Sequence, residues 1–385
     1  MKISNRIVSY LLLTFYCWSL ILRYPLINGP HDSDSFFVQW MSLKINDYGE
    51  ILWIINLRSY FGMYPFSYPM AVPSILSTLS QVLNINPELS IMLFCFVLGI
   101  LGINSIFLLA KEFGSNFFAI ITTLCFSTSF YFLNYTYWTI AARGTFLVLT
   151  PILTFLIIKL VKPNFRYFSL FILIYFSLIS IHRSHAYTFS AIIFPFIILM
   201  LFIRTSLLDP RGILNRNYNL KYFLMFIIPV PLLISLYYIN FYDPFGVPVN
   251  MNWIPNRYSG NILGPILNFS FRILTNNPLT IFGIIGFFHF MSKSYHTLKE
   301  FYLITILFFS SAFLVDYEYF TPTVLPFISL ISAYGIVFCI KSLDSKKIRP
   351  IFVILMLLIL SNVSVFYLNY LNTNISAEKS NPPEL

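Results

Sequence analysis

Residues 89–110 read LSIMLFCFVLGILGINSIFLLA and contain no charged side chain. An α-helix rises about 1.5 Å per residue, so a helix over this stretch is about 33 Å long. The hydrocarbon core of a bilayer is about 30 Å thick, and about 20 apolar residues cross it. This stretch therefore predicts a transmembrane helix, and it decides the fold class.

Similar apolar runs recur along all 385 residues, of which 58% are hydrophobic and 10% charged. Soluble domains carry about 25% charged residues, so most of this chain needs lipid as its solvent. Strongly alternating ten-residue segments, which are typical of membrane β-barrels, are absent from the sequence. We expect an all-α polytopic membrane protein with about eleven transmembrane helices. The predicted spans are 7–26, 89–110, 116–134, 145–161, 167–182, 187–203, 221–240, 278–291, 301–315, 322–340 and 350–368.

The distribution of charge predicts a cytoplasmic N-terminus and a C-terminus outside. With this orientation the inner connectors hold 16 of the 24 basic residues, and the outer side holds 10 of the 14 acidic residues. Cytoplasmic loops are normally enriched in Lys and Arg. The asymmetry requires the Pro- and Ser-rich segment 68–86 to be an interfacial helix that does not cross. The net charge of +10 is spread over short connectors, so no nucleic-acid-binding patch is predicted.

The orientation leaves two long outer loops, about 27–88 and about 241–277. Inner connectors are short apart from 204–220. Loops longer than about fifteen residues tend to be functional, so we expect any chemistry at the outer face. Residues 1–370 are interpreted as one transmembrane domain, and 371–385 as a polar, disordered tail.

The first outer loop carries His31, Asp32 and Asp34 shortly after the first helix. Two carboxylates and an imidazole at a membrane surface can act as a general base or hold a divalent cation. The structural alternative is that Asp32 and Asp34 cap a helix over Ser35–Ile45, because Asp is a favoured N-cap residue. Both roles remain open.

Three further groups of ionisable residues lie at the predicted outer ends of helices. Arg143 suits a phosphate, because its guanidinium offers a rigid fork of donors; a snorkelling interfacial arginine is the alternative. His182, Arg183 and His185 lie between the fifth and sixth predicted spans. Ionisable residues between two membrane helices are often functional, although a hydrated outer turn explains them as well. Asp316 and Glu318 lie at the outer ends of the ninth and tenth predicted spans.

The sequence also lacks the motifs of several other classes. It contains no P-loop, no G-x-S-x-G, no H-E-x-x-H and no C-x-x-C. No carboxylate lies in the middle of a predicted span, which counts against an ion-coupled pump. Polar residues instead concentrate at the predicted outer face.

The order of these features resembles the GT-C membrane glycosyltransferases, which include protein mannosyltransferases, aminoarabinose transferases and oligosaccharyltransferase catalytic subunits. A first helix is followed by the acidic segment HDSDSFFVQW at 31–40, in which Asp34-Ser-Phe-Phe is similar to a D-P-x-Y-type motif. An aromatic, Pro-rich segment then leads into VPSILSTLSQVLNINPE at 72–88. The resemblance continues through FLLAKEFGSN at 107–116, FAIITTLCFSTSFYFLNYTYW at 118–138 and Ala142-Arg143-Gly144. It covers roughly residues 1–200.

The resemblance implies an inverting enzyme that takes a sugar from a polyprenyl phosphate at the outer leaflet. Glycan, lipid or protein acceptors are all compatible with it. It implies that Asp34 or Asp32 is the general base, with Mg²⁺ or Mn²⁺ a further option there. It also implies that Arg143, with Arg183 or His185, stabilises the departing phosphate. The candidates for acceptor binding or for completing a metal site are Asp316, Glu318, His31 and His182. Separately, the Ile-, Phe- and Asn-rich composition indicates an AT-rich genome, archaeal or bacterial, and therefore a plasma membrane.

Two departures from the family pattern keep other functions open. Gly144 stands where many members have an acidic residue near the arginine, and no W-W-D-Y-G acceptor motif occurs. A flippase or transporter for a lipid-linked sugar, or a catalytically silent assembly subunit, are therefore the alternatives to a membrane glycosyltransferase of the cell envelope.

Overall fold

The computed structural model describes residues 4–24, 33–50, 70–137, 142–161, 164–181, 189–205, 218–219, 280–293, 295–311 and 317–343. In these ranges the regular secondary structure is helical except for a short antiparallel pair, β1 (Tyr218–Asn219) with β2 (Tyr295–His296). The helices are α1 (Asn5–Arg23), α2 (Ser33–Tyr48), α3 (Ala71–Leu83), α4 (Pro87–Lys111), α5 (Asn116–Ser127), α6 (Phe130–Thr136), α7 (Ala142–Leu160), α8 (Phe165–Ile181), α9 (Phe194–Thr205), α10 (Thr280–Met291), α11 (Leu298–Ser311) and α12 (Tyr317–Ser342). A π-helical turn, Phe189–Ile193, precedes α9.

Nine of the eleven predicted spans fall wholly or largely on described residues, and their described parts are helical except at helix ends and at the break 128–129. By length and apolar composition, four described helices can cross a membrane, namely α1, α4, α7 and Thr323–Ser342 of α12. The pair α5 and α6 makes a fifth if it counts as one span. By these criteria the described helices support four or five crossings, and the total of eleven stays a prediction. Outside the described residues lie the predicted spans 221–240 and 350–368, the outer loop 241–277 and the tail 371–385.

Two predictions about the first outer loop are refined. Segment 68–86 contains α3, which has 13 residues and is too short to cross, as expected for an interfacial helix. The helix predicted over Ser35–Ile45 extends from Ser33 to Tyr48. Asp34 therefore lies in the first turn of α2 instead of preceding it, and Asp32 lies outside the described residues.

Helix ends follow local chemistry. The side chain of Ser4 accepts a hydrogen bond from the backbone N–H of Ile7 at the start of α1. Asn86 caps α4 through the N–H of Glu88, with Pro87 in the first turn. Such side chains satisfy N–H groups that have no partner within the helix. α3 ends at Asn84, which has a left-handed backbone with φ of 50°, a conformation that asparagine tolerates.

Glycine allows the helices of the bundle to approach closely. A Cβ added at Gly286 of α10 would lie 2.0 Å from the Ile331 carbonyl oxygen of α12, and one at Gly335 would lie 1.9 Å from the Phe282 carbonyl oxygen. Small residues at membrane helix crossings permit such backbone contact. The α10–α12 crossing therefore depends on the absence of side chains at these two positions.

One end of the bundle gathers the basic connectors and is called the basic end below. The side chain of Asn116 donates to Asn5 at 3.0 Å, which brings the start of α5 to the start of α1. Glu112, after α4, pairs with Lys159 of α7 and Lys299 of α11, each at 2.7 Å. Lys341 lies in the last turn of α12, and the Tyr334 hydroxyl donates to the Phe113 carbonyl of the α4–α5 turn at 3.5 Å. The grouping matches the connectors that the sequence assigns to the inner side.

Candidate active site at the opposite end of the bundle

At the end of the bundle opposite the basic end, the chain bends between α5 and α6. The Thr128 hydroxyl donates to the Leu124 carbonyl at 2.8 Å, and the Ser129 hydroxyl donates to the Phe126 carbonyl at 2.7 Å. Hydroxyls that bond local backbone compete with regular helix geometry. Ser129 then caps α6 by accepting from the Phe132 N–H. The two helices meet at 60°, so α6 turns away from the axis of α5.

Arg23, at the end of α1, is buried against α6. Its side chain is 1% exposed. Nε and Nη2 donate to the Thr136 hydroxyl oxygen at 3.2 and 2.5 Å, and Nη1 donates to the Ser19 hydroxyl oxygen at 2.6 Å. The guanidinium also lies 4.7 Å from the centre of the Phe132 ring. Among the described residues no carboxylate forms an ion pair with Arg23, so hydroxyls and an aromatic face stabilise this cation.

The contact between Arg23 and α4 shows how far α4 extends beyond the end of α1. A Cβ added at Gly99 of α4 would lie 2.9 Å from Arg23 Nε, so the end of α1 packs against the middle of α4. α4 begins twelve residues earlier at Pro87, which is about 18 Å along its axis. α4 thus extends past the end of α1, and α2 and α3 pack against it.

Arg143 lies in the first turn of α7, beside the end of α6. Its guanidinium is 5.7 Å from the centre of the Tyr135 ring. The next residue, Gly144, is buried, and a Cβ there would lie 2.1 Å from the Tyr135 carbonyl oxygen. No side chain fits at that position. In this packing the α6–α7 contact occupies the space that an acidic side chain at position 144 would need.

The first turn of α12, which contains Glu318, lies at the same end as Arg23 and Arg143. α12 runs antiparallel to α5, because Phe118 near the start of α5 contacts Tyr334 near the end of α12 with ring centroids 4.7 Å apart. The earlier part of α12 therefore points away from the basic end, and α12 packs against α6. The structure thus brings together the helices that carry Arg143 and Glu318.

The structure describes only part of the predicted site. Arg143 is described with its side chain, whereas Asp34 and Glu318 are described as positions on the first turns of α2 and α12. Within the described ranges no group of three His, Cys, Asp or Glu side chains is close enough to hold a metal ion. The predicted residues outside the described ranges are His31, Asp32, His182, Arg183, His185 and Asp316.

The sequence analysis did not single out Arg23, and its burial was not predicted. Ser19 is four residues before Arg23, which is the spacing of neighbours on one helix face. That spacing was the available signal for a hydrogen-bonded arginine at the end of α1. The partner Thr136 lies 113 residues away, and nothing local in the sequence announces it.

At the basic end, two carboxylates are held in their charged form. Burial alone would raise the pKa of Glu112, but hydrogen bonds from Lys159 and Lys299 outweigh it and lower the pKa. Burial alone would likewise raise the pKa of Glu300. Its carboxylate accepts hydrogen bonds from the Thr297 N–H at 2.8 Å and from Lys293 at 2.9 Å. These contacts lower the pKa of Glu300. The ion pairs join the connectors of the basic end.

Comparison with known proteins gives matches among solved structures alone. No family model matches the chain, and no curated protein matches it by sequence. The archaeal oligosaccharyltransferase AglB from Archaeoglobus fulgidus, in complex with an inhibitory peptide and a dolichol-phosphate, is similar with a TM-score of 0.56 and 11% identity, over 94% of this chain and 55% of that one. The Archaeoglobus fulgidus oligosaccharyltransferase in complex with Zn and sulfate is similar with a TM-score of 0.61 and 13% identity, over 94% of this chain and 52% of that one. The chain spans about half the length of these proteins, and the likeness shows a shared fold.

Proposed function

We propose that this chain, which has the membrane fold of the GT-C oligosaccharyltransferases, is a glycosyltransferase that takes a sugar from a polyprenyl-phosphate donor. One observation carries the proposal. Arg143, a cation suited to phosphate, stands at the end of the bundle where α12 begins, in a fold shared with an enzyme whose structure holds a dolichol-phosphate. The acceptor is a glycan, a lipid or a protein, and the reaction takes place at the outer face of a plasma membrane.

The proposed reaction is an inverting displacement at the anomeric carbon. Asp34, or Asp32 beside it, accepts the proton of the acceptor hydroxyl as its oxygen forms a bond to the anomeric carbon. The bond from that carbon to the phosphate oxygen breaks, and the electron pair leaves with the polyprenyl phosphate. Negative charge grows on the phosphate in the transition state, so fixed donors aimed at it lower the barrier. Arg143 fills this role, with Arg183 and His185 as additional donors.

The contacts around Arg143 support a fixed position for its charge. Gly144 packs against the Tyr135 carbonyl, and Thr136 is tied to Arg23. Donors that are held in place before the reaction cost no reorganisation during it. Arg23 thus supports the site from behind by holding α6 against α1.

A divalent cation fits the chemistry of the remaining candidates. Carboxylate oxygens are the ligands that Mg²⁺ and Mn²⁺ prefer, and Asp32 and Asp34 would hold such an ion, with Asp316, Glu318, His31 or His182 completing the site or binding the acceptor. The ion would supply positive charge near the donor phosphate.

The silent assembly subunit is the second candidate, and Gly144 favours it. The α6–α7 contact excludes a second acidic side chain beside Arg143. A flippase needs polar residues along a path between the leaflets. Arg23 does not line such a path, because its side chain is buried against Ser19 of α1 and Thr136 of α6.

An assay on the full chain in lipid vesicles separates the three functions. A radiolabelled polyprenyl-phosphate hexose is supplied with membranes from the same source as acceptor. A labelled product identifies a transferase, movement of the lipid across the bilayer without product identifies a flippase, and neither result identifies a silent subunit.

Variants then test the assigned roles. Loss of a general base costs about 10²–10⁴-fold in rate, which is expected for Asp34→Asn or for Asp32→Asn. Loss of one charge-stabilising donor costs about 10²–10³-fold, which is expected for Arg143→Gln. Asp47→Asn is the matched control, because Asp47 is an exposed carboxylate of α2 that pairs with Lys44. Full activity in both Asp34→Asn and Asp32→Asn would refute the assignment.

A further inference from the structure

A cavity of about 470 Å³ opens at the basic end, away from the proposed transfer site. Its walls come from the α4–α5 turn, the end of α10 and the last turns of α12. Ligand sites commonly have volumes of about 300–1,000 Å³, so the cavity has room for a small ligand group. The polar residues and glycine that line it are Gly114, Ser115, His289, Lys293, Tyr334 and Lys341.

The interior of the cavity is aromatic. The rings of Phe118 and Tyr334 contact each other with centroids 4.7 Å apart, and His289 stacks on Phe338 at 4.1 Å. Phe338 is 38% exposed on the side of α12, and Phe288 of α10 is 68% exposed. These exposed rings belong to helices that the sequence assigns to the membrane. The apolar wall therefore continues onto the lipid-facing surface of α10 and α12.

The rim of the cavity is cationic. Lys341 is exposed, and it forms no ion pair with any residue that the structure describes. Lys293 donates to Glu300 at 2.9 Å and lies 5.1 Å from the centre of the Tyr334 ring. Both lysines are close enough for their charges to act on His289. Glu300 offsets one of the two lysine charges, so the rim keeps a net positive charge.

We propose that this cavity binds the phosphate headgroup of an anionic phospholipid from the leaflet at the basic end. A cationic rim above an aromatic wall that opens to lipid matches an amphiphile with a phosphate and hydrocarbon chains. A free phosphate would gain nothing from the aromatic wall. Basic pockets between membrane helices suit anionic headgroups, and each Lys or Arg near the surface contributes about 1 kcal/mol.

Lipid binding by single-residue variants tests this proposal independently of any sugar-transfer activity. The full chain in detergent is titrated with phosphatidylglycerol, and the bound lipid is counted by native mass spectrometry. Lys341→Gln removes the exposed cation of the rim and should weaken binding about fivefold. Arg6→Gln is the matched control, because Arg6 is an exposed cation at the start of α1 and does not line the cavity.

The proposal requires that Lys341→Gln weakens binding and that Arg6→Gln leaves it unchanged. Equal losses in the two variants would mean a diffuse attraction to surface charge and would overturn the site. Unchanged binding in Lys341→Gln would overturn it too. Displacement of the lipid by excess inorganic phosphate would assign the cavity to a soluble phosphate compound and overturn the lipid assignment.

Discussion

The substitution Gly144→Ala tests the contact that fixes Arg143 beside α6. The new Cβ would lie 2.1 Å from the Tyr135 carbonyl oxygen, whereas real Cβ atoms essentially never come within 3.0 Å of another heavy atom. α6 and α7 must therefore separate by about an ångström, and a backbone carbonyl cannot rotate away as a side chain would. Overpacking of this kind costs about 1–3 kcal/mol. Alanine recovers about 0.5–1 kcal/mol in a helix, so the expected net loss centres on about 1 kcal/mol.

Thermal unfolding of the purified chain in detergent measures this loss. Gly283→Ala is the control, because Gly283 is also a buried helix glycine and its added Cβ meets only the Ser332 hydroxyl, at 3.1 Å. The control should unfold at or above the temperature of the parent chain, and Gly144→Ala clearly below it. A Gly144→Ala protein as stable as the control would refute the close α6–α7 contact at Gly144.

Three further variants probe other contacts by the same measurement. Gly335→Ala should destabilise at least as much as Gly144→Ala, because its Cβ would lie 1.9 Å from the Phe282 carbonyl oxygen. Glu112→Gln should lower stability at pH 7 by about 1 kcal/mol, since two lysines lose their carboxylate. It should also remove part of the loss on acidification, because a pKa held below the ordinary 4.5 gives stability that is present above that value and lost below it. His296 is fully buried, and burial lowers its pKa below the ordinary 6.5 while Glu300 opposes the shift. Stability tied to His296 is therefore present above pH 6.5 and lost below it, and His296→Phe should reduce the decrease in melting temperature between pH 7.5 and about 5.5.

The predictable part of the fold is local. Apolar runs between charged connectors predicted helices such as α4 and α7. Asn86 followed by Pro87 is a local sequence signal for the start of α4. The connectors with Lys159 and Lys299 were predicted to share one side of the membrane, and the structure joins both to Glu112. Local composition and charge carry this information.

The missing part is mostly long-range. The span predicted at 116–134 is two helices that meet at 60°, because three consecutive hydroxyl residues, Ser127–Ser129, interrupt it. Gly144 looked like a lost catalytic residue, and only the Tyr135 carbonyl beside it reveals a packing requirement. The burial of Arg23 depends on Thr136 of another helix. The bend has a local cause in Ser127–Ser129, whereas contacts between distant segments decide the packing at Gly144 and the burial of Arg23.

The most direct test of the account is the sidedness of the two ends of the bundle. In a chain whose native cysteines are replaced, Tyr48→Cys marks the exposed end of α2, and Lys341→Cys marks the basic end. A membrane-impermeant maleimide added to intact cells should label the Tyr48→Cys protein at once and the Lys341→Cys protein only after permeabilisation. Labelling in the reverse order, or of both proteins from outside, would contradict an outward-facing site for sugar transfer.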